Sequence, residues 1–522
     1  VLSYPHGTLG AVRIVLVPGP ERALAIRTDD RGRALGDPLP FPDPSAAVRA
    51  LEPGEHPRWV WADTAAVYPA VLRDGLRVQR CHDLALTGAL LSVRAGGPAV
   101  SPQPPADERP GLFDAAPPLD PARVVADHDA QLALIGDDPR LRLLVAAESA
   151  GALAAAEMSH HGLPFSAREH HRLLERTLGP RTTGDAVPQR IREITEVIST
   201  AFGRRVNPAS HIELVEAFAR DGVELTSTRA YLLRDVDHPA IEPLLHYRDL
   251  AKLHAANGWT WLDTWVRGDR FRPVYVPGGV VSGRWASRGG GALQIPKALR
   301  TSVIADPGHT FVIADAGQLE PRILAAMSGD PLMVAAAGAD DLYAPVATEV
   351  FDDDRGKAKV AILGVLYGAT AGESRALLTL LRKRFPVAVH YVEDAARAGE
   401  RGEVVHSWLG RACPPPDADW WSGGDAHARG RFTRNFVVQA TAAEWALCLL
   451  ADLRRRIADD DTAELVFFQH DEVVVHCRDP ESATAHVLAA TEAATRLLFG
   501  DTRVRFPMDV AVRDCYADPL ET

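Results

Sequence analysis

At 522 residues the chain is too long for one ordinary hydrophobic core and predicts about three folding units. Its 46% hydrophobic and 24% charged residues exclude a disordered or fibrous chain, and a formal net charge of −12 speaks against a nonspecific basic coat for nucleic acid. Arginine carries nearly all the positive charge, since the five lysines are Lys252, Lys297, Lys357, Lys359 and Lys383. Five cysteines without a CxxC pair speak against zinc and against a secreted disulfide framework. No uninterrupted apolar run of about 18 residues occurs, and no basic-then-apolar leader pattern, so the expectation is a soluble protein of the reducing cytoplasm with no membrane association.

In chain order, short apolar runs (Val12–Val17, Ala23–Ile26) between Gly, Pro and Asp turns predict a small α/β unit over residues 1 to 95. Gly96 to Pro121 reads as an exposed linker. Apolar spacing turns helical from Leu141 to Met158, and residues 165–262 are mostly helical in pattern, broken at Asn207-Pro208. A Gly/Arg-rich loop from Ser282 to Gly291 precedes the predicted strand Phe311–Asp315. A long helical stretch is then interrupted near Cys413-Pro414-Pro415-Pro416, and a helix from Phe436 to Ile457 leads into a hairpin from Leu465 to Cys477.

Three local features carry candidate chemistry. Gln469-His470-Asp471-Glu472 sits between two strand-like runs, where adjacent carboxylates repel unless a cation or arginine is near; in isolation it reads as an acidic turn. Asp315 ends a predicted buried strand and is followed by Gln318, Glu320 and Arg322; alone it reads equally as a helix N-cap. Asp352-Asp353-Asp354 opens a helix that Gly368 can close, and Arg355, Lys359, Leu363 and Tyr367 recur every fourth residue along it. That stripe is about 18 Å long and suits a nucleoside triphosphate, with phosphates at the cationic end and base at the aromatic end.

Taken together and in order, these features resemble the family A DNA polymerases. Asp315 and Glu320 are similar to the family's first motif, Arg355, Lys359, Leu363, Tyr367 and Gly368 to its second, and His470, Asp471 and Glu472 to its third. Ser282-Gly283-Arg284 with Gln294-Ile295-Pro296 resembles the TGR…NIP segment; Arg431, Asn435 and Gln439 before Thr441-Ala442-Ala443 resemble the R-x3-N-x3-Q-x-TAA helix. Tyr247-Arg248 with Lys252-Leu253 resembles the helix leading out of the thumb. The resemblance implies an α+β multidomain chain. On that resemblance a right-hand polymerase fold would span residues 141–522, with thumb about 165–262, palm about 263–335 and 436–522, and fingers about 336–435. An α/β RNase H-like, 3′–5′ exonuclease-type domain would precede it over residues 1–140.

The resemblance further implies template-directed addition of deoxynucleotides to a primer 3′-hydroxyl, in repair or replication. The partners would be primer-template DNA and deoxynucleoside triphosphates, the chain would act as a monomer, and its place would be the cytoplasm at the nucleoid. Asp315 and Asp471 would hold two Mg²⁺ ions (Mn²⁺ as a substitute), with Glu472 supporting from beside them. Arg355 and Lys359 would neutralise the triphosphate, and Lys359 would protonate the leaving pyrophosphate. Gln318, Tyr343, Leu363 and Tyr367 would complete the nucleotide site, and Glu320 would crowd the sugar 2′ position. Arg284 and Gln439 would reach the minor groove, while His470, Arg431 and Asn435 would contact primer terminus and template.

Several positions depart from the family pattern. Leu363 stands for an aromatic residue, Ala316-Gly317 for Tyr-Ser, and Tyr343 for a histidine. The fingers after Tyr367 are about ten residues short by the family's motif intervals, and the loop at Leu225-Thr226-Ser227-Thr228 lacks a basic insertion. At the N-terminus, Ala25–Asp30 offers no Asp-x-Glu, Trp59–Thr64 matches no Asn and Asp, and neither Tyr4 nor Tyr68 begins a Tyr-x3-Asp, so the leading domain is expected to be a scaffold without nuclease activity. Two other readings stay open: a noncatalytic DNA-binding descendant, and a repair protein with residual 3′–5′ exonuclease activity.

Overall fold

The computed structural model describes residues 12–98, 119–182, 186–288, 291, 295–368 and 373–517, with the backbone alone for 373–378. Gln294 and most of the expected Gly96–Pro121 linker lie outside the described residues. The chain forms two compact units. One comprises Val1–Gly162, Val274–Arg288 and Pro307–Arg513; the other comprises Leu163–Pro273, Gly289–Asp306 and Asp514–Thr522.

The first unit opens with β1 (Arg13–Val17), β2 (Ala23–Thr28), β3 (Leu39–Phe41), α1 (Pro44–Glu55), β4 (Arg58–Trp61), α2 (Thr64–Arg73), β5 (Arg80–Asp83) and α3 (Leu84–Arg94). These strands make a sheet in the order β3-β2-β1-β4-β5, antiparallel on one side of β1 and parallel on the other. Asp43, Asp63 and Asp83 each accept a backbone N–H at the start of the following helix, which is why every strand-to-helix turn here carries an aspartate. The Ala25–Asp30 run, which offers no Asp-x-Glu, covers the end of β2, and the first strand is β1. β1 carries no carboxylate either.

After α4 (Pro121–Ile135) comes α5 (Pro139–His161), which contains the Leu141–Met158 pattern and packs on both α2 and β5. Its apolar spacing gives no single stripe because it is buried on several sides. The residue-140 division drawn from sequence falls at the start of this helix, whereas the first compact unit runs through it to Gly162.

The second unit holds β6 (Leu163–Pro164), α6 (Ala167–Leu178), α7 (Gln189–Ala201), α8 (His211–Arg220), α9 (Ala230–Leu233), α10 (Ile241–Asn257), α11 (Trp259–Trp265), β7 (Arg270–Phe271) and α12 (Lys297–Arg300). Asn207-Pro208 falls between α7 and α8 as predicted, and Tyr247, Arg248 and Lys252 lie on α10. Its core is an apolar cluster around Phe202, Phe218 and Leu244, and a second around Leu174, Leu250 and Trp259.

The first unit resumes with β8 (Val274–Val276) and β9 (Ala286–Arg288), a short hairpin whose second strand falls inside the Ser282–Gly291 stretch that sequence reads as a loop. Then follow β10 (Thr310–Ala316), α13 (Leu319–Ser328), α14 (Pro331–Ala336), α15 (Tyr343–Val350), α16 (Arg355–Tyr367), α17 (Glu373–Arg384), α18 (Pro386–Glu400), α19 (Ala418–Trp421) and α20 (Ala426–Ile457). β11 (Ala463–Gln469), β12 (Glu472–Cys477), α21 (Pro480–Phe499) and β13 (Met508–Arg513) complete it. An antiparallel sheet in the order β11-β12-β10-β13 places β10 between the hairpin and the last strand.

α20 begins ten residues before the predicted Phe436 start. By length and composition it is long enough to cross a membrane, but 83% of its apolar window is buried within the fold, against α18, α21 and α5. At its far end Arg454 pairs with Glu157 of α5, which also accepts Tyr68 Oη (2.7 Å) and Arg77 Nη2 (2.8 Å). None of the five cysteines is bridged.

Candidate active site

Phe311, Val312 and Ala314 are fully buried in β10, so the strand is fixed by apolar packing and delivers Asp315 at its open end. The chain then turns through Ala316 and Gly317 into Gln318, which takes a left-handed conformation (φ 58°) at the start of α13. Asp315 is thus no helix cap: α13 has no side-chain N-cap, and the aspartate is left for other work. Beside it, Gln469 and Glu472 pair across a two-residue turn of His470 and Asp471, with His470 also left-handed (φ 60°). Holding a histidine there costs on the order of 1 kcal/mol and aims the turn residues at Asp315. Ala316 N–H donates to the Asp471 carbonyl (3.2 Å), tying the turn to β10.

The two carboxylates depress each other's ionisation. Burial pushes Asp471 up to about 7, with repulsion from Asp315 adding to it and Arg284 opposing it. Asp315 is likewise raised, by burial first and then by Asp509, its register partner on β13. Two half-buried acids that resist losing their second proton form a site short of positive charge. Their donors are all oxygen, which fits a hard divalent cation. Among the described residues no group of three or more His, Cys, Asp or Glu side chains is arranged to hold a metal ion, so the pair alone marks this one.

Both aspartates line a cavity of about 280 Å³ together with Arg284, Gln318, Glu320, Tyr343, Lys359, Leu363, Tyr367 and His470. Lys359, Leu363 and Tyr367 share one face of α16, as the four-residue spacing predicts. Asp354 caps that helix at one end by accepting Lys357 N–H, and Gly368 closes it at φ 68°, the left-handed geometry that glycine tolerates. Glu320 is the bridge of the cavity: it accepts Tyr367 Oη (2.6 Å) and pairs with Arg284. Gly283, at φ 82°, lets the β8–β9 turn pass over Arg411, where a Cβ would lie 2.6 Å from the guanidinium. A side chain there would be strained by that φ as well as crowded by the guanidinium.

Five predicted residues do not line this cavity. Arg355 lies one turn before Lys359, exposed, held by Asp341 (2.6 Å) and stacked 5.5 Å above the Tyr343 ring. Arg431, Asn435 and Gln439 sit on α20 upstream of Ala442 and Ala443, which do line it, and Asn435 Oδ1 is buried without a hydrogen-bond partner. Glu472 begins β12 in register with Asp315.

Sequence reasoning missed three supports. Asp341 accepts Gln318 Nε2 (2.7 Å), Tyr343 N–H (2.9 Å) and Arg355, so it fastens α13, α15 and α16 to one another. Arg322, fully buried, donates to the carbonyls of Gly317, Ala337, Ala339, Asp340 and Arg505. Its signal was a lone cation on an apolar helix face. Asp509 faces Asp315 across the sheet, and only its place in the alternating run Met508–Arg513 hinted at that.

Residues 181–516 match the family model of DNA polymerase family A. The DNA polymerase I of Chloroflexus aurantiacus is 27% identical over 365 residues, covering 61% of this chain and 37% of that protein. The thermostable DNA polymerase I of Thermus aquaticus is 26% identical over 306 residues, covering 53% of this chain and 36% of that protein. The matched part thus spans little more than a third of these relatives' length. The POL domain of Pol1 from M. smegmatis, solved in complex with DNA primer-template and dNTP, covers 97% of this chain and 96% of that one with a TM-score of 0.71 at 19% identity, a likeness of mixed α+β fold.

Proposed function

The chain belongs to DNA polymerase family A, and on that premise we propose that it extends a primer 3′-hydroxyl with deoxynucleotides chosen by a template strand. The observation that carries this reading is the Asp315–Asp471 pair sharing one cavity with Lys359 and Tyr367 of α16. Asp315 and Asp471 would hold two Mg²⁺ ions, which when bound supply charge neutralisation at the reacting phosphate and acidify the primer hydroxyl. Phosphoryl transfer asks mainly for positioning and electrostatic stabilisation, and the chain's own residues supply both. Arg355, fixed by Asp341, and Lys359, exposed, would meet the triphosphate, and Lys359 would pass a proton to the departing pyrophosphate. Arg284 and Gln439 would probe the minor-groove face, with Arg431, Asn435 and His470 near the primer and template. These contacts favour duplex shape over sequence, so affinity should fall with salt.

Glu320 narrows the cavity by holding Tyr367 and Arg284 at once. Glu320→Ala should free both and widen the space near the sugar. Ribonucleotide incorporation relative to deoxynucleotide should rise by about tenfold or more, a change of ~1.4 kcal/mol or more in discrimination. Competition primer extension measures it, and an unchanged ratio would remove Glu320 from that role.

Leu363 lines the cavity without a ring. Base–aromatic stacking is worth about 1–3 kcal/mol, so a high KM for the incoming nucleotide follows, and Leu363→Phe should lower it several-fold with kcat little changed. Single-nucleotide steady-state kinetics decide this. An unchanged or higher KM would show that a ring clashes here.

The N-terminal sheet order fits an exonuclease-type domain, which we read as scaffold. β1 lacks a carboxylate, while Asp63 and Asp83 serve as helix caps. A mismatched, end-labelled primer should not shorten in Mg²⁺ without nucleotides. Shortening at a rate comparable to extension would overturn the scaffold reading.

A further inference from the structure

Arg13, Arg58 and Arg80 are the first residues of β1, β4 and β5, three neighbouring parallel strands, and they stand in register with one another. Register partners in a parallel sheet point to the same face, about 4.8 Å apart. Like charges placed side by side oppose folding, and no ion pair among the described residues relieves these three. Arg58 Nη1 reaches only the Cys81 carbonyl (2.9 Å) and Arg80 Nη2 only that of His56 (2.9 Å), while Arg13 Nε and Arg80 Nε are buried without partners. Burial and the neighbouring Arg80 and Arg13 pull Arg58 down to about 10, a further sign of uncompensated positive charge.

Two of the three, Arg13 and Arg58, line a cavity of about 470 Å³ together with His82 and, from the start of α5, Arg142, which pairs with Asp137 (2.6 Å) at its edge; Asp30 is the one acidic lining residue. The volume falls within the ~300–1,000 Å³ range of small-molecule sites. It shares no residue with the polymerase cavity.

We infer that this cavity binds a phosphomonoester on a mononucleotide-sized group, the phosphate seated against Arg13, Arg58 and Arg142. Guanidinium is the side chain best matched to phosphate oxygens, by planar paired hydrogen bonds and by light hydration. The phosphate can come from a free mononucleotide or from the 5′ end of a DNA strand.

The test is hydrogen-exchange mass spectrometry on the full chain in EDTA, following peptides that cover residues 12–17, 58–61 and 139–146. The probes are dAMP, deoxyadenosine, and a deoxynucleotide tetramer with either a 5′-phosphate or a 5′-hydroxyl. Protection by dAMP or by the phosphorylated tetramer, and by neither unphosphorylated probe, is expected, and the stronger of the two names the source. Arg13→Gln and Arg142→Gln should each weaken the effect at least fivefold. Because the Arg13 side chain makes no hydrogen bond or ion pair among the described residues, Arg13→Gln should melt no lower than the parent. Lys359→Ala, in the polymerase cavity, should leave the protection intact. No protection by any phosphorylated probe, equal protection by deoxyadenosine, or protection surviving in Arg13→Gln with Arg142→Gln would overturn the inference.

Discussion

Asp471→Asn should lower primer extension by about a thousandfold or more and, without divalent metal at pH 8, make the folded chain more stable than the parent. Both effects come from one arrangement. Burial and Asp315 raise the Asp471 carboxyl to about 7, so the folded state holds a proton that the unfolded chain gives up in the ordinary carboxylate range. Stability relative to the uncharged variant is therefore unchanged at low pH, and it falls as pH rises through that range to about 7. Above about 7 the deficit is complete, on the order of 4 kcal/mol. Asparagine removes the repulsion and with it the seat for a cation. Mg²⁺ should raise the melting temperature of the parent and leave that of the variant nearly unmoved. The same proton competes with metal, so the Mg²⁺ concentration needed for half-maximal extension should fall as pH rises from 6.5 to 8.5. A variant that extends normally, or that is less stable at pH 8 in EDTA, would show that the pair is not the charged centre described.

The second large effect lies far from chemistry. Arg454 and Glu157 are each only 4% exposed in their side chains and join α20 to α5. Arg454 also donates to the carbonyls of Gln79 (2.8 Å) and Val78 (2.8 Å), and Glu157 stays ionised because Arg454, Arg77 and Tyr68 all face it. Removing one partner strands a buried charge, so Arg454→Met should cost about 3–5 kcal/mol. Arg454→Met combined with Glu157→Leu should cost less than the single change, because no unpaired ion remains. Since Glu157 is held below the ordinary carboxylate range, its contribution is full at neutral pH and disappears only as acid titrates the folded state. Urea titration of the single and double variants measures the coupling. Simple additivity would mean that the two side chains contribute independently.

How much of this was legible in the chain depended on how local the cause was. The α16 stripe was readable because Asp354, Gly368 and the four-residue spacing all act within one helix. The hairpin was readable because β-rich runs flank a two-residue turn. Asp341 was not, since its partners Gln318 and Arg355 are brought to it by two separate helices, α13 and α16, and no periodicity announces that. Asp509 became relevant only when β13 closed against β10, a pairing across nearly two hundred residues that no local pattern encodes. Val12–Val17 and Ala23–Ile26 are equally strand-like, and only the sheet order shows that β1 is central. α20 began early because its first ten residues are polar, and propensity alone gave no reason to extend a helix through them.

The central claim is that Asp315, Asp471 and the cations on α16 form a polymerising centre. Its most direct test is extension of a labelled primer-template by the chain given one nucleotide at a time, in Mg²⁺ and in EDTA. The account predicts addition in Mg²⁺ of the single nucleotide complementary to the next template base, and none in EDTA. Retention of primer-template by a chain that adds no nucleotide at any pH between 7 and 9 would contradict it.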